Sequence, residues 1–128
     1  DISNYRYPIS DIQYKFNLDA WTELLKLVGR KKIPFLVYIA PRPTDFFPYD
    51  KIKYNKFKKS MLRLTQYYGG TFLNLEDLIP SKYFGFVDTN FGFLVRDPFH
   101  IQGAGHSLLA HEITKSIKQL KIKSVNLE

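Results

Sequence analysis

The sequence predicts one α/β domain in which parallel strands are covered by helices. Apolar residues recur at helical spacing in three stretches, and two short strand-like runs follow the first and the second of them. The first of these runs is continuously apolar, which is typical of a strand buried on both faces of a parallel sheet. The 128 residues, 45% of them hydrophobic, suit a single packed domain over residues 1–128.

The first helix is predicted over residues 18–28. Asn17 suits the N-cap, and Asp19 suits the positive end of the helix dipole. One face of this helix is apolar and consists of Leu18, Trp21, Leu24, Leu25 and Val28. Gly29 is expected to end the helix, with basic residues beside it. The residues before it, up to Phe16, show no sustained period and read as an irregular lead-in.

The first strand is predicted over residues 33–40, with Pro34 at its start, where a missing ladder donor matters least. The chain then leaves the sheet through residues 41–45 in an extended or turn conformation, because prolines disfavour helix. Arg42 lies just beyond the strand, where ligands of open α/β sheets gather. We expect Arg42 to pair with an anionic group of a substrate, and an exposed loop arginine is the alternative.

A basic helix over residues 54–68 and a second strand over residues 71–75 complete a crossover unit, which is expected to be right-handed. Residues 76–96 have no clear period and predict a long loop that serves as a lid or a binding segment. The last helix is predicted over residues 107–120, with an apolar face of Leu109, Ile113, Ile117 and Leu120. Gly103-Ala104-Gly105 reads as the turn that leads into this helix rather than as a phosphate cradle.

Asp97-Pro98-Phe99-His100 is the segment most suggestive of chemistry. A histidine can accept a proton from a nucleophile if its other ring nitrogen is held in one tautomer, and a carboxylate provides that hold. Asp97 and His100 share a short turn that Pro98 stiffens, so their placement is set locally. The alternative is that Asp97 caps the last helix and that His100 is an ordinary loop residue.

The order strand, helix, strand, loop, Asp-x-x-His and closing helix resembles the C-terminal half of the SGNH (GDSL-like) hydrolase superfamily. Within it, the chain is most similar to the DltD-like and alginate O-acetylation branch, from Asn17 onward. The resemblance implies a three-layer, flavodoxin-like α/β/α fold with a parallel sheet. It also implies a Ser-His-Asp triad in which His100 is the general base and Asp97 its orienting acid.

The serine of such a triad is not identifiable in this sequence. None of the seven serines lies in a Gly-Asp-Ser-like block or a Gly-x-Ser-x-Gly elbow. Ser107, the nearest to His100 in sequence, falls in the first turn of the predicted helix. The chain starts without Met or an apolar leader, so we expect a piece of a longer product whose N-terminal remainder carries the nucleophile. A non-catalytic relative is the alternative.

Nineteen basic against twelve acidic residues give a formal charge of +7, which favours anionic partners. The expected substrate is an acylated carbohydrate or lipid of the cell envelope, and the expected location is extracytoplasmic. The rival function is a basic module that binds an anionic polymer. No cofactor is expected, and the spacings of His100, His106 and His111 do not predict a metal site.

Overall fold

The computed structural model describes residues 10–43, 50–88, 92 and 94–125. In order, the elements are α1 (Asp11–Arg30), β1 (Leu36–Ile39), α2 (Lys51–Tyr67), β2 (Thr71–Asn74), a 3₁₀ turn (Ser81–Tyr83), β3 (Phe84–Asp88), β4 (Leu94–Ile101) and α3 (Gly103–Val125). Strands β1 and β2 pair in parallel, and β3 and β4 form an antiparallel hairpin. The chain is therefore α/β, as predicted. Among the described residues the parallel sheet has two strands, so the three-layer arrangement is not confirmed.

Helix α1 is longer than predicted at both ends. Its N-cap is Ser10, whose hydroxyl accepts a hydrogen bond from the Gln13 amide at 3.1 Å, so the prediction that Asn17 caps this helix is wrong. Residues 11–16, expected to be irregular, are helical, and residues 1–9 of that lead-in lie outside the described part of the chain. At the other end, the helix continues past Gly29 to Arg30, and Lys32 takes the positive φ of 53°.

Gly29 has a packing role instead of the predicted stop. A Cβ atom at this position would lie 2.8 Å from the backbone oxygen of Tyr68, which directly follows α2. The absence of a side chain thus lets α1 and α2 approach closely at their C-terminal ends.

Strand β1 is shorter than predicted and is covered on one face. Val37 and Ile39 are buried, whereas Tyr38 between them is 40% exposed, so within the described residues the predicted burial on both faces is seen on one face alone. The reason is that α1 and α2 pack on the same side of the sheet. Their buried residues Leu25 and Met61 join Val37 in the core. The residues that surround this core are Leu18, Phe35, Phe57, Leu64, Tyr68 and Phe72.

Helix α2 and strand β2 lie close to their predicted positions. The Asp50 carboxylate accepts hydrogen bonds from the amides of Ile52 and Lys53, so the helix starts at Lys51. Gly69, with a φ of +81°, follows its end, as predicted from the paired glycines. β2 then pairs with β1 in a register that sets Val37 beside Phe72, which confirms the parallel crossover.

The prediction of a long loop over residues 76–96 is wrong. This segment contains the 3₁₀ turn, β3 and the first residues of β4. The alternation of apolar and polar residues that would reveal a strand is not visible in the sequence. Gly85 has no side chain to continue it, and the pairing register of the hairpin shifts between Phe84 and Phe86. Residues 89–91 and 93 of the predicted loop, and Thr44 and Asp45 of the predicted exit from β1, lie outside the described residues.

Helix α3 begins earlier than predicted, at Gly103, so the Gly-Ala-Gly segment forms its first turn. Gly105 is buried, and a Cβ there would collide with the Ile101 side chain and lie 3.2 Å from Cγ2 of Ile79. Helix α3 can therefore start directly against the end of β4 and the segment that follows β2.

Candidate active site

Asp97 and His100 lie in a bulge of strand β4. Phe86 pairs with Arg96 and Phe84 pairs with Ile101, so the four residues from Asp97 to His100 stand opposite Gly85 alone. The prediction of a turn leading into the last helix is corrected by this finding: the segment is an irregular end of a strand, with Gln102 alone separating β4 from α3. Bulges of this kind redirect side chains and are common beside active sites.

One carboxylate fixes both the backbone and the ring of His100. Oδ1 of Asp97 accepts a hydrogen bond from the His100 amide at 3.1 Å, and Oδ2 pairs with Nδ1 of the imidazole. Both bonds span three residues, so the bulge itself places the two side chains together. Since these bonds go to His100 and α3 starts at Gly103, the alternative in which Asp97 caps the last helix is wrong.

The two side chains differ sharply in exposure. Asp97 is 4% exposed, whereas the His100 side chain is 83% exposed. A buried carboxylate is costly unless hydrogen bonds compensate for its lost hydration, and His100 provides two. With Nδ1 engaged, the bond to Oδ2 favours the tautomer that carries its proton on Nδ1. Nε2 is then the nitrogen that can accept a proton from a reacting group.

The bulge is anchored beyond His100. Phe84, 1% exposed, pairs with Ile101, and the amide of Gln102 donates to the carbonyl of Tyr83 at 2.8 Å. Pro98 lacks an amide hydrogen, and a bulge is one of the few places in a sheet where that loss is tolerated. Asp97 and His100, which we call the dyad, are thus held in place by backbone pairing on the far side of the bulge.

Four serines of the described chain have hydrogen-bond partners within the chain, and for three of them the partner lies within four residues. Ser107 donates to the Gly103 carbonyl and Ser116 to the Glu112 carbonyl, each within α3. Ser10 caps α1, and the Ser60 hydroxyl lies 3.1 Å from the Tyr14 hydroxyl. Because α3 begins at Gly103, Ser107 lies one turn further into the helix than predicted. A nucleophile outside this chain stays a prediction.

Arg42 lies beyond the carboxyl end of β1, as predicted. Its amide donates to the Glu76 carbonyl at 3.0 Å, which joins the exits of β1 and β2, and the residue is partly buried. The dyad belongs to the other sheet, in β4. The binding of an anionic substrate group by Arg42 stays a prediction.

Sequence reasoning missed a buried ion pair at this same edge of the parallel sheet. Glu76 follows β2, is 4% exposed and accepts from Nζ of Lys58 at 2.5 Å. That Nζ also lies 4.6 Å from the centre of the Tyr54 ring. In the sequence, Lys58 belongs to the predicted basic helix and Glu76 to the predicted long loop. The sequence does hold a signal for Glu76, because an acid just after an apolar strand occupies the same kind of position as Arg42.

Within the described part of the chain, no group of three or more histidine, aspartate or glutamate side chains is placed to hold a metal ion. His106 and His111 are both exposed on α3. No described helix has the length and apolar character needed to cross a bilayer. Comparison of the chain with protein-family models, with curated proteins and with solved structures finds no match.

Proposed function

We propose that this chain supplies the histidine and aspartate of a Ser-His-Asp triad in an SGNH-type ester hydrolase or O-acyltransferase. The observation that carries the proposal is the buried Asp97 carboxylate, which binds the amide and Nδ1 of a largely exposed His100. An orienting acid that is withdrawn from water, joined to an accessible imidazole, is the arrangement that general-base catalysis requires.

The reaction would proceed through an acyl-enzyme. Nε2 of His100 takes the proton of a serine hydroxyl as the serine oxygen attacks the acyl carbon of an ester. The imidazolium then returns that proton to the departing alcohol, while Asp97 stabilises its positive charge through Nδ1. Water or a sugar hydroxyl then gives its proton to the same nitrogen and attacks the acyl carbon, and that proton passes to the serine oxygen as the acyl–serine bond breaks. Water gives hydrolysis, and a sugar hydroxyl gives acyl transfer.

The finer fold belongs to the same proposal. The face of the β1–β2 sheet opposite α1 and α2 includes Tyr38 at 40% exposure, and Ile33, just before β1, is 52% exposed. A three-layer fold requires cover on this face and further parallel strands beside β1 and β2. We propose that the N-terminal remainder of the protein supplies both, together with the serine. The substrate is an acylated carbohydrate or lipid of the cell envelope.

The test is covalent labelling of the complete protein by a serine-directed fluorophosphonate. His100→Ala should abolish labelling, because the serine loses its base. His111→Ala, an exposed histidine on α3, is the matched control and should label as the unaltered protein does. Undiminished labelling of the His100→Ala protein would rule out the assignment.

A further inference from the structure

Helices α1 and α2 form a layer on one face of the parallel sheet. They run side by side in the same direction, because three contacts join them in the same order along both helices. Asp11 pairs with Lys53 at 3.0 Å, the Tyr14 and Ser60 hydroxyls lie 3.1 Å apart, and Gly29 meets the backbone of Tyr68. Since both helices bury their inner residues in one core, their outer faces point away from the sheet together.

The outer face of α1 carries a line of large apolar side chains, bordered by the exposed acids Asp19 and Glu23, of which Glu23 pairs with Lys26. Ile12, Phe16, Leu24 and Leu27 are 84%, 73%, 49% and 54% exposed, and we call these four residues the apolar stripe. They are separated by four, eight and three residues, which sets them on one side of the helix, and Ala20 fills the middle of this line. The core uses a different side, through Leu25. An exposed line of large apolar side chains is a recognised mark of an interaction surface.

The outer face of α2 is cationic. The helix contains six lysines and arginines and no acid from Lys51 to Tyr67. Lys53 pairs with Asp11 and Lys58 with Glu76. The other four are exposed and form what we call the cationic stripe, which consists of Lys51, Lys56, Lys59 and Arg63. Among the described residues, none of these four takes part in an ion pair.

We propose that this two-helix layer docks on the surface of an anionic lipid bilayer. The apolar stripe enters the boundary between headgroups and acyl chains, and the cationic stripe beside it meets the negative headgroups. A helix that lies in the plane of the membrane with large apolar side chains inward and basic residues around it is the general form of such binding. The proposal does not depend on the chemistry of His100.

Charge favours the bilayer over two other occupants. A second copy docked on the apolar stripe would either stack the two cationic stripes on each other, where like charges in contact are costly, or leave both stripes without an anionic partner. A soluble anionic polymer would satisfy the cations but would leave the apolar stripe in water. An anionic bilayer satisfies both stripes together.

The experiment is co-sedimentation of the 128-residue chain with vesicles of phosphatidylcholine, with and without phosphatidylglycerol. Binding should require phosphatidylglycerol and should weaken with salt. Phe16→Glu should weaken binding by at least about tenfold, because a charge replaces an inserted ring. The double variant Lys59→Glu with Arg63→Glu should also weaken it at least about tenfold, since each cation near the surface contributes roughly fivefold.

Two matched controls lie on other elements. Phe86→Glu replaces a phenylalanine that is 62% exposed on β3, and Lys118→Glu replaces an exposed lysine on α3. Both should bind as the unaltered chain does. Circular dichroism confirms that each variant is folded.

Three results would overturn the proposal. The first is equal binding to vesicles with and without phosphatidylglycerol. The second is a dimer in solution that Phe16→Glu dissociates, without vesicle binding, which would assign the stripe to a second copy. The third is binding of inorganic polyphosphate that needs Lys59 and Arg63 but not Phe16, again without vesicle binding, which would assign the surface to a soluble polymer.

Discussion

The carboxylate of Asp97 binds His100 twice, through the backbone amide and through Nδ1 of the ring. The first bond shapes the bulge, and the second orients the imidazole within it. One buried group therefore sets both the position and the tautomer of an exposed one. A change that preserves the first bond and disturbs the second should separate folding from chemistry.

Asp97→Asn makes that separation. The amide oxygen of asparagine can still accept from the His100 amide, but its NH₂ group would face Nδ1 and favour the tautomer with the proton on Nε2. In the complete protein we expect ester turnover to fall by roughly 10³- to 10⁴-fold, as for orienting acids in serine hydrolases. Thermal unfolding followed by circular dichroism should change little. Turnover within about tenfold of the unaltered protein would contradict the orienting role.

Lys58→Met should destabilise the chain. It removes the partner of the Glu76 carboxylate, whose side chain is 5% exposed, and an uncompensated buried charge costs about 3–5 kcal/mol. Urea unfolding at neutral pH measures the change in the free energy of unfolding. Lys59→Met, on the exposed side of the same helix, should stay within about 0.5 kcal/mol.

A second substitution identifies the cause of that loss. If the unpaired charge is responsible, Glu76→Gln added to Lys58→Met should recover much of the stability, because a neutral amide is less costly to bury. If the double variant is less stable than Lys58→Met alone, the loss comes from packing of the lysine chain rather than from the ion pair.

Gly105→Ala should destabilise the junction between β4 and α3. The added methyl group would collide with the Ile101 side chain and crowd Ile79, and overpacking of this kind costs about 1–3 kcal/mol. Gly103→Ala, on the same helical turn but with nothing within 4 Å of the added atom, should be neutral or slightly stabilising. Urea unfolding of the two variants should therefore show a clear loss of stability for Gly105→Ala and no loss for Gly103→Ala.

The sequence predicted the elements whose periodicity and end residues are both visible in a short stretch of chain. Helix α2 carries an apolar period, and Gly69 follows it at a positive φ, so its end was predicted correctly. The parallel pairing of β1 with β2 followed from the order strand, helix, strand. The association of Asp97 with His100 also followed from the short turn that Pro98 predicts, and the bulge of β4 provides the equivalent of that turn; in a regular strand, residues three apart would lie on opposite faces.

The remainder depends on contacts that no local pattern encodes. β1 reads as buried on both faces because its residues are all apolar, but which faces are covered depends on where α1 and α2 pack. The sequence of the β3–β4 hairpin shows no regular alternation of apolar and polar residues, because the bulge in β4 shifts the pairing register opposite Gly85. The Lys58–Glu76 pair joins residues eighteen positions apart, and only the crossover brings them together.

Gly29→Ala distinguishes the packing role of Gly29 from the helix stop predicted for it. The residue is helical, so alanine would by propensity stabilise α1 by up to about 1 kcal/mol. The new Cβ would, however, lie 2.8 Å from the Tyr68 backbone oxygen, and a backbone atom cannot move aside as a flexible side chain can. We expect a net loss of about 1–3 kcal/mol in urea unfolding. Gly29→Asn sharpens the test, because asparagine is tolerated at a helix stop but is larger than alanine. If Gly29→Asn lowers the free energy of unfolding at least as much as Gly29→Ala does, close packing is supported. If Gly29→Asn is instead as stable as the unaltered chain, Gly29 acts as the predicted helix stop.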